Sequence, residues 1–315
     1  MMALKSKFII LPLVALLWAG CFNALGAARP IPIVLDTDIG SDIDDAFALD
    51  LILASPELDL RAVTTVSGDT HARARLAAKM LSEAGRGDVP VAAGEPGAML
   101  DIAQTKWADG FTSPALRSES ALELLKVQID RAHGKITLVP IGPLTNIAAL
   151  LKQYPAMAKK IKRIALMGGS IARGYYPNSP PSAEYNIAAD AAAAQTVFSS
   201  GIPIVMAPLD VTARLQLDEA HCQRLFALHG PMPQALRALY ALWGHPTPTL
   251  HDPMAVALLI NPGLCQSKPL HVEIDAQGMT RSIEGKPPNA TVALDTDPAK
   301  FIEFYMSRAA PSSVR

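Results

Sequence analysis

Cysteine is scarce, with three in 315 residues, which excludes the disulfide framework of a small secreted scaffold. Cys222 and Cys265 lack a Cys or His partner at zinc-ligand spacing, and one bond between them is the only pairing to consider. Neither sign of charge dominates, since 28 basic residues face 29 acidic ones. No run of Lys and Arg forms a stripe that could track a phosphate backbone, which argues against nucleic acid as a partner. The apolar stretch at residues 8–19 is too short for a membrane span. Internal repeats, a domain linker and low-complexity tracts beyond one Ala run are also missing.

What the chain has is apolar mass, because half of its residues are hydrophobic. That is enough for a large core, and it excludes global disorder. Lys5 and Lys7 precede the apolar stretch, and small residues follow it up to Ala28. This is the layout of a cleaved secretory leader at 1–28 ahead of one domain at 29–315, which predicts a periplasmic or secreted protein. Cys21, preceded by Trp18-Ala19-Gly20, is similar to a lipoprotein cleavage box. Trp fits that box badly and residues 24–28 offer ordinary cleavage sites, so cleavage is preferred over a lipid anchor.

Strand-like apolar runs at 33–35, 60–66, 89–92, 136–141, 164–167 and 204–207 alternate with helix-like segments. The alternation predicts an α/β fold: one open, mostly parallel sheet with helices on both faces. Residues 144–152 and 188–200 read as helices. Ligands of such sheets bind beyond the carboxyl ends of the strands, and several of these ends are unusual. The first runs into Asp36-Thr37-Asp38-Ile39-Gly40-Ser41-Asp42-Ile43-Asp44-Asp45; others stop at Ser67-Gly68-Asp69, Gly142-Pro143 and Gly168-Gly169-Ser170. Carboxylates massed at the mouth of a core strand need a cation, and oxygen donors without Cys or His suit Ca²⁺ or Mg²⁺ better than zinc. The plainer alternative is that Asp42, Asp44 and Asp45 cap the next helix. Between Gly169 and Ala188 lies a long polar segment, a length that usually carries function.

Four blocks together carry a resemblance. They are the acidic run at 36–45, Val139-Pro140-Ile141-Gly142-Pro143-Leu144-Thr145-Asn146, Met167-Gly168-Gly169 with Glu184-Tyr185-Asn186, and His251-Asp252-Pro253. In this order the chain resembles the inosine-uridine type nucleoside hydrolases, which cleave the N-glycosidic bond of ribonucleosides. The resemblance implies a Rossmann-like fold with one Ca²⁺ held by Asp38, Asp45, Asp252 and the carbonyl of Ile141. It makes Asp38 the general base for a water at the ion and His251 the proton donor to the leaving base. It sets Asp44 and Asn186 on the ribose 2′ and 3′ hydroxyls and Glu184 on the 5′ hydroxyl. Asp69, Met167, Asn178 and Trp107 stand at further substrate positions. Asp69 replaces the Asn common in the family, and Lys106-Trp107 replaces a His-Gly pair. The first block is longer than the usual form, which makes Asp42 an additional acid. Trp107, Tyr175 or Tyr176 is expected to stack on the base. Family members are often dimers or tetramers, so a homo-oligomer is expected.

Two other functions are compatible with parts of the pattern. Asp36-Thr37-Asp38 could be the nucleophile motif of a haloacid dehalogenase type phosphatase, although no later Lys and acidic pair suits that chemistry. An envelope protein that binds nucleosides or sugars through calcium without catalysis would use the same fold. The pairing of Asp38 with His251 favours the hydrolase.

Overall fold

The structure is a computed structural model describing residues 29–98 and 102–310. The leader at 1–28 and Cys21 lie outside the described residues.

The strands are β1 (Ile31–Thr37), β2 (Leu58–Thr65), β3 (Val91–Ala93), β4 (Ile136–Pro140), β5 (Ile161–Met167), β6 (Ile204–Ala207), β7 (Cys265–Leu270), β8 (Val272–Ile274), β9 (Thr280–Ser282) and β10 (Ala290–Thr296). Eight form one sheet in the order β3-β2-β1-β4-β5-β6-β10-β7, and β8 and β9 pair as a small separate ribbon. All neighbours in the large sheet are parallel except the edge strand β7, which runs antiparallel to β10. The expected open, mostly parallel sheet is therefore present. β1 to β6 cover the six apolar runs, with end shifts of a few residues at most.

Side chains along β1 alternate between the two faces. Ile33 and Leu35 enter a core with Phe47, Leu76, Met254 and Phe301, whereas Val34 faces Leu124, Ile147 and Val197 on the other side. Burial on both faces explains why these strands read as continuous apolar runs.

One helix departs from expectation, and the open question of the cysteines is answered. The helix expected at 188–200 is broken, with Tyr185–Ala189 and Ala191–Phe198 separated by Asp190. Asp190 caps the second helix through Ala193 N (2.9 Å) and accepts the Thr145 hydroxyl (2.9 Å), a tertiary tie that overrides the helical preference of the Ala run. Cys222 and Cys265 are both free thiols. Among the described residues no helix is long and apolar enough to cross a membrane.

The chain order reverses between β1 and β4: β2 and β3 extend one way from β1, while β4, β5 and β6 extend the other. A crevice opens at such a switch point, beyond the carboxyl ends of the strands. Asp36 to Asp38 leave β1 there and Ile141 leaves β4, tied by the hydrogen bond from Ile141 N to Asp36 O (2.8 Å).

Beneath this crevice, helix Asp44–Leu53 buries Asp50, which accepts the Tyr305 hydroxyl at 3.1 Å. Burial pushes the Asp50 carboxyl up to about 7 from 3.8. Below 3.8 the carboxyl is neutral in folded and unfolded chains alike. Between 3.8 and about 7 the folded chain keeps a proton that the unfolded chain releases, so stability falls as pH rises through that window. The full linkage is about 4 kcal/mol. An amide is a poorer partner for the Tyr305 hydroxyl, which leaves about 2 kcal/mol as the expected gain for Asp50→Asn at pH 8. Urea unfolding of variant and parent at pH 4 and 8 measures this; an equal difference at both values would contradict it.

Candidate active site

A cavity of about 270 Å³ occupies the crevice, and Asp38, Asp42, Asp44, Asp45, Glu184 and Asp252 all line it. Ile141, Met167, Tyr175, Asn186 and His251 complete most of its wall. The structure thus brings together every residue expected to hold the metal or to act in catalysis, along with Asp44, Met167, Glu184 and Asn186 from the substrate set.

Two helix N-termini converge on this cavity. Asp44 and Asp45 lie in the first turn of helix Asp44–Leu53, and Asp252 in the first turn of His251–Ile260. Neither helix has a side-chain cap bond from its own N-cap residue, Ile43 or Leu250. Capping therefore does not account for the acids, although the helix dipoles offset part of their charge. Asp44 Oδ2 instead accepts Asp252 N from the facing helix at 3.2 Å, and Asp45 Oδ1 accepts the Thr37 hydroxyl.

Carboxylate oxygens of Asp44, Asp45 and Asp252 lie within 4.8 Å of one another and could hold one metal ion. All three groups are buried and carry carboxyls raised well above 3.8, by burial first and then by neighbouring carboxylates: Asp42 for Asp44, Asp38 for Asp45, and Asp44 and Asp45 for Asp252. Three crowded, buried carboxylates are the donor set of a hard divalent cation, so the residues present fit one. Asp38 lies outside that closest group, but its charge acts on Asp44, Asp45 and Asp252. Burial lifts Asp38 to about 6, with Arg73 pulling the other way.

The acidic loop is held by residues that the sequence reading did not single out. Arg73 is completely buried and donates to the carbonyls of Asp38, Ile39 (2.9 Å) and Ser67 (2.8 Å), and to the Ser41 hydroxyl (2.8 Å). Gln104 Nε2 donates to the carbonyls of Ser41 (3.2 Å) and Asp42 (2.8 Å). Asp36 does not line the cavity; it accepts Thr64 Oγ1 (2.6 Å) and Asn146 Nδ2 (2.8 Å), and burial raises it to about 7. Gly142 passes so close to Asp38 that a Cβ there would lie 2.7 Å from Asp38 Oδ1.

Glu184 is buried, and its oxygens accept Gly169 N (2.9 Å), Asn186 N (2.9 Å) and Ile187 N (3.2 Å). Burial dominates these bonds and lifts its carboxyl to about 7. Asn186 Nδ2 donates to the carbonyls of Ile141 (3.0 Å) and Met167 (3.3 Å). The amide is thereby oriented, and its Oδ1 remains to accept a hydroxyl. His251 Nδ1 lies 2.9 Å from Thr212 Oγ1, the ring meets Tyr175 edge to face at 6.3 Å, and burial lowers the imidazole to about 4.

Three expected substrate residues are not on this cavity wall. Asp69 caps helix Thr70–Glu83 through Ala72 N at 2.9 Å. Trp107 packs half-buried against the core with Lys79 Nζ 4.1 Å from its ring centroid. Asn178 is exposed, at φ 61°, on an adjoining cavity of about 990 Å³ that shares Tyr175 and His251 with the first. Of the proposed stacking residues, Tyr175 lines both cavities and Tyr176 only the outer one. Tyr185, which the sequence reading did not assign, also lines the inner cavity and is 48% exposed, so its ring is available to a ligand.

Residues 33–303 match the family model described as "Inosine-uridine preferring nucleoside hydrolase". The chain is 37% identical to a pyrimidine-specific ribonucleoside hydrolase, RihA, of Enterobacter sp. (strain 638), over 90% of this chain and 99% of that one. Among solved structures, a plant nucleoside hydrolase, the PpNRh1 enzyme, superposes with TM-score 0.77 and 27% identity, covering 90% of this chain and 100% of the other. A purine-preferring ribonucleoside hydrolase from Gardnerella vaginalis gives TM-score 0.76 and 26% identity, over 88% and 98% of the two chains.

Proposed function

The chain belongs to the inosine-uridine preferring nucleoside hydrolase family, and on that footing we propose that it hydrolyses the N-glycosidic bond of ribonucleosides to free base and ribose. The observation that carries this reading is the convergence of Asp38, Asp44, Asp45, Asp252, Glu184 and Asn186 on one cavity of about 270 Å³. That volume is below the usual range for drug-sized ligands and suits a single sugar ring, with the base toward the mouth.

Asp45, Asp252 and the carbonyl of Ile141, joined by Asp38 or Asp44, would hold a Ca²⁺. When bound, such an ion grips a cis-diol and makes a neighbouring water more acidic. Asp38, at about 6, is ionised at neutral pH and takes the proton of the attacking water. The carboxylates around the sugar stabilise positive charge as the glycosidic bond lengthens. Asn186 Oδ1 and the Glu184 carboxylate accept ribose hydroxyls, so an analogue lacking one leaves a buried polar group unpaired. His251 faces the departing base, and Tyr175 and Tyr185 offer it aromatic faces.

The likeness to RihA supports pyrimidine ribonucleosides as preferred substrates. A cleaved leader at 1–28 would place the mature chain outside the cytoplasm, and a homo-oligomer is the expected assembly.

The test is incubation of the chain from Arg29 onward with uridine, cytidine, inosine and adenosine, followed by an assay for free ribose. Release should be lost with a chelator, return with Ca²⁺ and be much slower with deoxyuridine. Intact nucleosides after long incubation with Ca²⁺ would refute hydrolysis, and nucleoside retained on the protein would instead mark a binding protein.

A further inference from the structure

Thr212 ends the short helix Leu209–Thr212 that follows β6, and it is completely buried. Its main-chain N–H already donates to Pro208 O at 3.1 Å. Among the described residues the hydroxyl has one partner, His251 Nδ1, at 2.9 Å. Either oxygen or nitrogen could carry the shared proton, and burial decides which. If Nδ1–H donated, the buried Thr212 proton would have no acceptor among the described residues, at a cost of about 1–3 kcal/mol. If Thr212 O–H donates, both groups are satisfied.

We propose that Thr212, by holding Nδ1, is a positioning residue that fixes the neutral His251 ring with its proton on Nε2 and directs that nitrogen to the cavity that His251 lines, so that the ring presents a hydrogen-bond donor to the departing base. The inference rests on the nucleoside hydrolase reading for its kinetic consequence, while the tautomer itself is independent of that reading. As the C1′–N bond breaks, its electron pair stays on the base nitrogen, and the Nε2–H bond stabilises the charge that collects there. The ring keeps its proton, in place of the transfer that the resemblance implies for His251, and the base leaves as its anion and takes its proton from solvent. A ring with the other tautomer would turn a lone pair toward the base and repel it. His251 opens the helix that carries Asp252, so the pair also ties leaving-group stabilisation to the wall that holds the sugar.

The experiment compares the parent, Thr212→Val and Thr212→Ser on two substrates: uridine, whose base is a poor leaving group, and p-nitrophenyl riboside, whose phenolate departs without help. Thr212→Val removes the donor at nearly constant volume and should lower kcat on uridine roughly tenfold or more, with KM little changed and p-nitrophenyl riboside turnover within about twofold of the parent. Thr212→Ser restores the hydroxyl and should recover uridine turnover. Equal losses on both substrates, or no loss on uridine, would overturn the proposal. Nitrogen NMR of ¹⁵N-histidine-labelled protein, with His251 assigned through His251→Gln, reads the tautomer without any turnover. Protonated Nε2 and unprotonated Nδ1 are expected, and the reverse pattern overturns the proposal even if the protein cleaves no nucleoside.

Discussion

Asp38→Asn should lower kcat on ribonucleosides about a thousandfold, within the span that a general base and its electrostatic surroundings contribute. The amide matches the carboxylate in shape, so the loss reports its charge, which serves as base and as candidate metal ligand together. Stability should move the other way. Asp38 is buried, its carboxyl is lifted to about 6, and it faces the charges of Asp44, Asp45 and Asp252. Removing one of several repelling anions relieves the fold, so the metal-free variant should unfold no more easily than the parent. Steady-state kinetics with a parallel urea titration checks both halves. Near-parental turnover would remove Asp38 from the role of base, and a large loss of stability would show that its charge is needed for folding.

Arg73→Ala should cost about 3–5 kcal/mol in unfolding free energy, the range for removing one partner of a buried charged network. Four oxygens lose their donor at once: the carbonyls of Asp38, Ile39 and Ser67 and the Ser41 hydroxyl. Ser67 has φ 69°, a conformation that a non-glycine residue keeps only when its surroundings impose it, and the Arg73 bond to its carbonyl is part of that imposition. Activity should fall as well, because the loop that carries Asp38 to Asp45 loses its anchor. Arg73→Lys should recover little, since a single ammonium cannot reach the points spanned by a planar guanidinium. Chemical denaturation and kcat together test this. A variant within about 1 kcal/mol of the parent, with ordinary turnover, would show that Gln104 and the backbone hold the loop alone.

The parallel core was legible because burial on both faces leaves apolar stretches in the strands: β4 is buried throughout, and β2 and β5 become so after the charged residues of their first halves. β7 was not, for the opposite reason: as an exposed edge strand containing Lys268 and Pro269 it has no apolar signature. The acids at 36–45 were legible because charge following a core strand is conspicuous, whereas Asp252 and Glu184 were assigned only through the family resemblance. Their supports were not legible. Arg73 lies in an ordinary polar helix pattern and Thr212 in a short helix after β6, and each reaches the site through a partner 35 or 39 residues away. Trp107 shows the reverse: an aromatic residue in a polar stretch suggested stacking on a base, yet its ring meets Lys79 and the core.

By itself the sequence determined the α/β class, the strand ends at which chemistry gathers, and the surplus of oxygen donors at the first of them. These follow from local periodicity and composition, which need no third dimension. Only the tertiary structure decided which acids converge. Asp44, Asp45 and Asp252 meet because two helices from distant parts of the chain point their N-termini into the gap beside β1. Asp69, on a neighbouring strand end, turns instead to cap its own helix. A carboxylate binds whichever donor its backbone brings within about 3 Å, and that choice belongs to the packing.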